Sequence, residues 1–272
     1  MAPEDRKPLN VCFIHIPKCA GVSVVEGFRQ AIPGEGYWHC HVFPAVAAYL
    51  AARDLPYEEN EAAFETFHLE MRQFLLLAAL HSNYKILAGH MPFSPLAADK
   101  MEYRYRFYTV LRDPVERFIS HAIYLNFRHL PHEPPPDFEM SMERVEALLT
   151  DEVGRMMARS YTLYLGGLTS EGKAELAGVK ERALQHLGKF AVVGFQENFP
   201  AWDAVVSRSL GTRYATPRLN QQSDVIAEAE TRRKVRAFFT PARRAQIAEM
   251  CAEDQEIYAA ACAAFPETAP AR

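Results

Sequence analysis

The sequence contains no apolar run long enough to cross a bilayer. Its uninterrupted apolar stretches, Ala45–Ala52 and Phe74–Leu80 among them, fall far short of the about 18 residues that a membrane helix needs. The opening segment Met1–Leu9 lacks an apolar core, so no signal peptide is expected. A basic excess is missing too: 30 Lys and Arg stand against 34 Asp and Glu, a formal net charge of -4. A general nucleic-acid binder carries the opposite balance, so no nucleic-acid partner is expected, while a local basic cleft stays compatible with the total. Cysteine is scarce. Cys12, Cys19, Cys40, Cys251 and Cys262 are odd in number and include no C-x-x-C pair. That argues against a disulfide scaffold and for a reducing compartment, the cytoplasm. The trio His39-Cys40-His41 is not read as a zinc site, because neighbours along a strand point to alternate faces and no second ligand cluster follows.

What is present is a globular composition, 49% hydrophobic and 24% charged over 272 residues. A chain of this length buries roughly 70–75% of its unfolded surface. Short apolar runs alternate with amphipathic segments, the α/β pattern. Strands are expected at Asn10–Ile16, Tyr84–Ala88, Tyr105–Leu111 and Phe190–Phe195. Helices are expected at Gly21–Ala31, Glu61–His81, from Pro114 with Asp113 as N-cap, and at Met142–Leu165, Glu171–Leu187, Asn198–Leu210, Ile226–Phe239 and Pro241–Phe265. The stripe Phe64/Phe67/Phe74 reads as core packing. The expected architecture is a single domain over residues 10–265, with a mostly parallel sheet of four or five strands flanked by helices. Flexible segments are expected at 1–9 and 266–272.

Two segments carry chemistry. In Ile14-His15-Ile16-Pro17-Lys18-Cys19-Ala20-Gly21-Val22-Ser23 a strand, a small-residue loop and a helix start make an anion cradle. Backbone N–H groups and the helix dipole favour negative charge there, Lys18 adds a mobile cation and Ser23 a hydroxyl. The G-x-x-x-x-G-K-[ST] pattern is absent, and Cys19 stands where a Mg²⁺-binding hydroxyl would follow the lysine. In the second segment, Leu111-Arg112-Asp113-Pro114-Val115-Glu116-Arg117-Phe118-Ile119-Ser120, Arg112 stands at a strand end and can grip a phosphate. A local Arg112–Asp113 ion pair is the competing reading. In open parallel sheets ligands bind at the carboxyl ends of strands, where both segments fall.

Pro-Lys-x-x-Gly-x-Ser after the first strand, followed by Arg-Asp-Pro-x-x-Arg-x-x-Ser after a later one, resembles the paired nucleotide-binding elements of PAPS-dependent sulfotransferases (PAPS is 3′-phosphoadenosine-5′-phosphosulfate). The wording is similar to the carbohydrate branch that includes heparan sulfate 2-O-sulfotransferase and many bacterial members, and it extends to Ala88-Gly89-His90-Met91-Pro92 and Val193-Gly194-Phe195-Gln196-Glu197. The family loop usually reads Pro-Lys-Thr-Gly-Gly-Thr-Ser; here Cys19 and Val22 replace both threonines and Ala20 one glycine. The resemblance implies a P-loop-like PAPS-binding fold and transfer of a sulfuryl group to a hydroxyl of a carbohydrate or glycoconjugate. It implies that Pro17, Lys18, Cys19, Ala20, Gly21, Val22 and Ser23 hold the 5′-phosphosulfate, with Lys18 on the sulfuryl or bridging oxygen. Arg112 and Ser120 would hold the 3′-phosphate, His90 would be the general base, and Arg218, Leu219 and Asn220 would close over the nucleotide.

That chemistry is coherent: sulfuryl transfer resembles phosphoryl transfer, so it calls for positioning, cationic stabilisation and removal of a proton. No metal motif is visible, and none is expected. A histidine is suited to proton removal because its ordinary pKa is about 6.5. His15 is the rival base, His121 reads as structural, and His81, His129, His132 and His186 read as surface or loop residues. The acceptor would be chosen by loops at His39–Asn60, Leu130–Asp137 and Arg155–Gly167. Two alternatives stay open: a P-loop-like small-molecule kinase, and a non-catalytic nucleotide- or glycan-binding module.

Overall fold

The computed structural model describes residues 10–34, 36–40, 61–128, 136–219, 225, 226 and 228–271. The segment 1–9, residues 41–60 of the proposed acceptor stretch His39–Asn60, most of the proline-rich loop and Asn220 lie outside these residues.

Five strands, β1 (Asn10–Ile14), β2 (Tyr37–Cys40), β3 (Ile86–Gly89), β4 (Tyr105–Leu111) and β5 (Val192–Phe195), form one parallel sheet in the order β2-β3-β1-β4-β5. Central strands of such a sheet are covered on both faces and read as continuous apolar runs, as Val11–Ile14 does. Side chains alternate along a strand. Val11 and Phe13 therefore join one core layer with Val24, Phe28 and Trp202, while Cys12 and Ile14 join the opposite layer with Leu76, Leu80 and Tyr161. The β2 edge strand adds a fifth strand to the four read from apolar runs.

Twelve α-helices among the described residues cover this sheet: α1 (Gly21–Ala31), α2 (Glu61–His81), α3 (Pro95–Met101), α4 (Pro114–Phe127), α5 (Phe138–Ala147), α6 (Glu152–Ala158), α7 (Ser160–Gly166), α8 (Val179–His186), α9 (Phe199–Leu210), α10 (Ala229–Phe238), α11 (Pro241–Met250) and α12 (Ala252–Ala264). A third apolar cluster, with Phe118, Ile123, Val145, Met157, Val235 and Ile247, binds α4, α5, α6, α10 and α11 to one another beyond the sheet.

Several expected boundaries are corrected. The single helix over Met142–Leu165 is three, because Asp151 caps a new start at the Gly154 N–H (2.7 Å), and a Cβ on Gly154 would lie 1.6 Å from the Leu148 carbonyl oxygen. Arg155–Gly167 is therefore mostly α6 and α7 rather than loop. The helix expected from Glu171 begins at Val179, after Gly178 in the left-handed region (φ 64°), and Pro241–Phe265 breaks at Cys251. Phe74 is 67% exposed, so it is not core. His186 is buried instead of lying on the surface, with Nδ1 2.6 Å from the Leu165 carbonyl oxygen. The segment after Phe265 is not frayed either: Thr268 is 1% exposed, and its hydroxyl donates to the Val193 carbonyl on edge strand β5 (2.6 Å).

Candidate active site

Because every strand is parallel, the carboxyl ends of β1, β3, β4 and β5 open on one side. A cleft of about 2080 Å³ lies there. Its lining includes Pro17, Lys18, Ala20, Gly21, Val22, Ser23, His90, Arg112, Ser120 and Arg218 from the sequence-derived set. Cys19 is the exception among the described members. It is buried, with its sulfur 3.6 Å from the Tyr161 hydroxyl, and burial pushes its thiol up to about 11. Cys19 therefore packs the loop from beneath and presents no side chain to the cleft.

The β1–α1 loop is tightly bent. Lys18 (φ 68°) and Ala20 (φ 56°) both occupy the left-handed region, at a cost on the order of 1–3 kcal/mol each for side-chain-bearing residues. Ala20 is also the N-cap of α1, and no side chain caps this helix. By contrast Ser94, Asp113, Asp137, Asp151 and Thr240 cap α3, α4, α5, α6 and α11. The first N–H groups of a helix have no intrahelical partner, so the uncapped start of α1 presents them, with its dipole, toward the cleft. Ser23 lines the cleft and is also engaged within the chain. Its hydroxyl donates to the Leu219 carbonyl (3.3 Å) and accepts from the Leu219 N–H (3.1 Å), fastening the 213–219 segment over α1.

Lys18 extends over the ring of Tyr124, its Nζ 3.7 Å from the centroid. Burial, then the charges of Arg112 and Arg128, lower its pKa to about 8. Arg112 follows β4. Its N–H donates to the Tyr161 hydroxyl (2.9 Å), and that hydroxyl donates to the Arg112 carbonyl (2.5 Å). Asp113 is occupied as N-cap of α4, accepting from the Glu116 N–H (3.0 Å). The guanidinium of Arg112 thus reaches the cleft with no carboxylate partner among the described residues, and the local ion-pair reading falls. Arg117, the motif's second arginine, is fully buried; it donates to the Met157 carbonyl and lies 4.0 Å from Asp254.

His90 follows β3 with Nδ1 2.8 Å from the His15 carbonyl oxygen. A carbonyl only accepts, so Nδ1 carries a proton, and in the neutral ring Nε2 is the nitrogen without one. The His15 ring lies 4.2 Å from that of His90, centroid to centroid, and a Cβ on Gly21 would come within 1.9 Å of it. Gly21 is therefore required by the packing of His15. His121, read as structural from sequence, lines the cleft. So do Tyr124, one turn on along the same face of α4, and Arg128, the residue that ends the helix.

Seven Lys and Arg side chains and three acids line the cleft. All three acids are engaged. Glu116 accepts from Arg244, Glu197 from the Asp113 N–H and the Tyr258 hydroxyl, and Asp203 from the N–H and hydroxyl of Thr216. The cleft of this acidic protein is cationic. Among the described residues no group of three or more His, Cys, Asp or Glu side chains is placed to hold a metal ion.

No protein-family model and no curated protein matches the sequence. Among solved structures the chain is similar to a sulfotransferase from Alicyclobacillus acidocaldarius at 16% identity and a TM-score of 0.37, over 90% of this chain and 96% of that one.

Proposed function

We propose that the protein is a sulfotransferase that moves the sulfuryl group of PAPS to a hydroxyl, with a carbohydrate or glycoconjugate as the acceptor class. One observation carries this reading. Two cationic, anion-directed turns far apart in sequence are brought to one cleft edge through Tyr161, beside a histidine whose Nδ1 is anchored on the His15 carbonyl.

In this reading the uncapped start of α1 receives the 5′-phosphosulfate, and Arg112 with Ser120 receives the 3′-phosphate. Arg218 covers the nucleotide from the 213–219 segment. The acceptor hydroxyl oxygen attacks sulfur in line and its proton passes to Nε2 of His90. The bond from sulfur to the bridging phosphate oxygen breaks, and 3′,5′-bisphosphoadenosine leaves with the electron pair. Lys18 neutralises charge on the transferring oxygens, the contribution expected to dominate for a loose transition state.

The test is thermal unfolding with 3′,5′-bisphosphoadenosine or ATP–Mg²⁺, followed by transfer of radiolabelled sulfuryl groups to pooled glycans, lipids and phenols. At about 100 times its Kd the bisphosphate adds about 2.7 kcal/mol of stability. Stabilisation by ATP–Mg²⁺ with none from the bisphosphate would support the kinase instead; nucleotide binding without transfer would support a non-catalytic module.

A further inference from the structure

His121 is the cleft histidine that the reading above leaves without a task. It stands on α4 one turn before Tyr124, whose ring carries the Lys18 ammonium. The groups that face it come from three elements: Arg117 on its own helix, Lys18 from the β1–α1 loop and His90 from the end of β3. Its Nδ1 is buried with no hydrogen-bond partner among the described residues, and Nε2 is the nitrogen left open to the cleft. Burial and these three neighbours lower its pKa to about 3, so the ring is neutral at working pH.

A neutral imidazole carries one proton. An orphaned buried N–H is a rarer and costlier defect than an orphaned acceptor, so the proton belongs on Nε2. His121 then shows the cleft an N–H. In a cleft dominated by cations, an added N–H finds its partner in an anionic oxygen.

Resting on the sulfotransferase reading, we infer that His121 is a sulfuryl-binding residue: its Nε2–H donates a hydrogen bond to an oxygen of the transferring group while Lys18 holds the same group by charge. The bond exists with PAPS and is lost with the bisphosphate product, which has no sulfuryl oxygens.

The experiment compares equilibrium binding of PAPS and 3′,5′-bisphosphoadenosine to wild type, His121→Phe and His121→Gln, with ring nitrogen NMR on the wild type. His121→Phe keeps the ring's bulk and removes the N–H; His121→Gln restores a neutral donor and gives a second route should the first variant fold poorly. A hydrogen bond to a charged partner predicts that His121→Phe weakens PAPS by about 10-fold or more. Bisphosphate affinity should stay within about twofold, and Gln should recover part of the loss. The wild-type spectrum should place the His121 proton on Nε2 near neutral pH. Equal weakening of both nucleotides, unchanged PAPS affinity, or a proton on Nδ1 overturns the inference. If wild type binds neither nucleotide, the sulfotransferase reading falls and takes this one with it. If wild type binds both but transfers nothing, the enzymatic reading alone falls and the selective effect on PAPS still stands.

Discussion

Lys18 is the residue whose ionisation the cleft disturbs in a way that a ligand would report. Burial and the charges of Arg112 and Arg128 bring its pKa down from 10.5 to about 8. At pH 8 the free protein therefore holds Lys18 half neutral. An anion bound at the α1 start favours the ammonium and raises that pKa, so binding takes up protons. By linkage, affinity is full below pH 8 and falls as pH rises through it. Calorimetry of bisphosphate binding in two buffers of different ionisation enthalpy measures the uptake. Lys18→Met should abolish both the uptake and the pH dependence. Absence of uptake between about pH 7 and 9, the window set by this lowered lysine pKa, would place Lys18 away from the bound anion.

At the scale of elements, the joint between the two turns is a tyrosine on α7. The Tyr161 hydroxyl both accepts from and donates to the backbone of Arg112 and touches Cys19, and its own N–H donates to Asp254 (2.9 Å). Tyr161→Phe leaves the part-buried N–H and C=O of Arg112 without this partner, which costs up to about 1–3 kcal/mol. The expected outcome is a lower melting temperature together with weaker binding of the 3′-phosphorylated nucleotide, while the analogue lacking the 3′-phosphate binds nearly as before. Equal loss for both nucleotides would reduce Tyr161 to a core residue. The elements themselves were legible where local signals are strong: β4, α1 and α2 match their expected bounds, and Asp113 and Pro114 announce the start of α4. Breaks within 142–165 and 241–265 were not, since helical spacing of apolar residues outweighs a single capping residue such as Asp151, and the close backbone approach at Gly154 is set by tertiary packing. That Lys18, His90 and Arg112 line the cleft was legible because each follows a strand; Ser120, inside α4, was placed there by the spacing of its motif alone. Tyr161, Tyr124 and His121 sit inside helices, and which face of α7 or α4 meets the cleft depends on tertiary packing. Cys19 shows the converse: a loop motif marks where an anion is expected without saying which of its side chains turns away from the cleft.

For the whole molecule, the C-terminal segment closes the sheet. β5 is an edge strand, and unpaired edge groups are a liability that proteins cover. Thr268 gives its hydroxyl to the Val193 carbonyl, and Asn198 Nδ2 donates to the Ala269 carbonyl (2.8 Å). The Arg208–Glu267 ion pair is well exposed on both sides and adds little. Its composition of Pro, Glu, Thr and Ala reads as a frayed end, because nothing local records that a strand edge lies beneath it. Deleting residues 266–272 should therefore destabilise the domain. Thr268→Val, which keeps the shape and removes the hydroxyl, should account for about 1–3 kcal/mol of that loss by leaving a buried carbonyl unpaired. At roughly 2–4 °C per kcal/mol for a domain of this size, thermal unfolding resolves both variants. The cleft lies at the strand ends away from this contact, so bisphosphate affinity measured well below the melting temperature should be unchanged in Thr268→Val. Melting of the truncated chain at the wild-type temperature would show that the segment only rests on the fold.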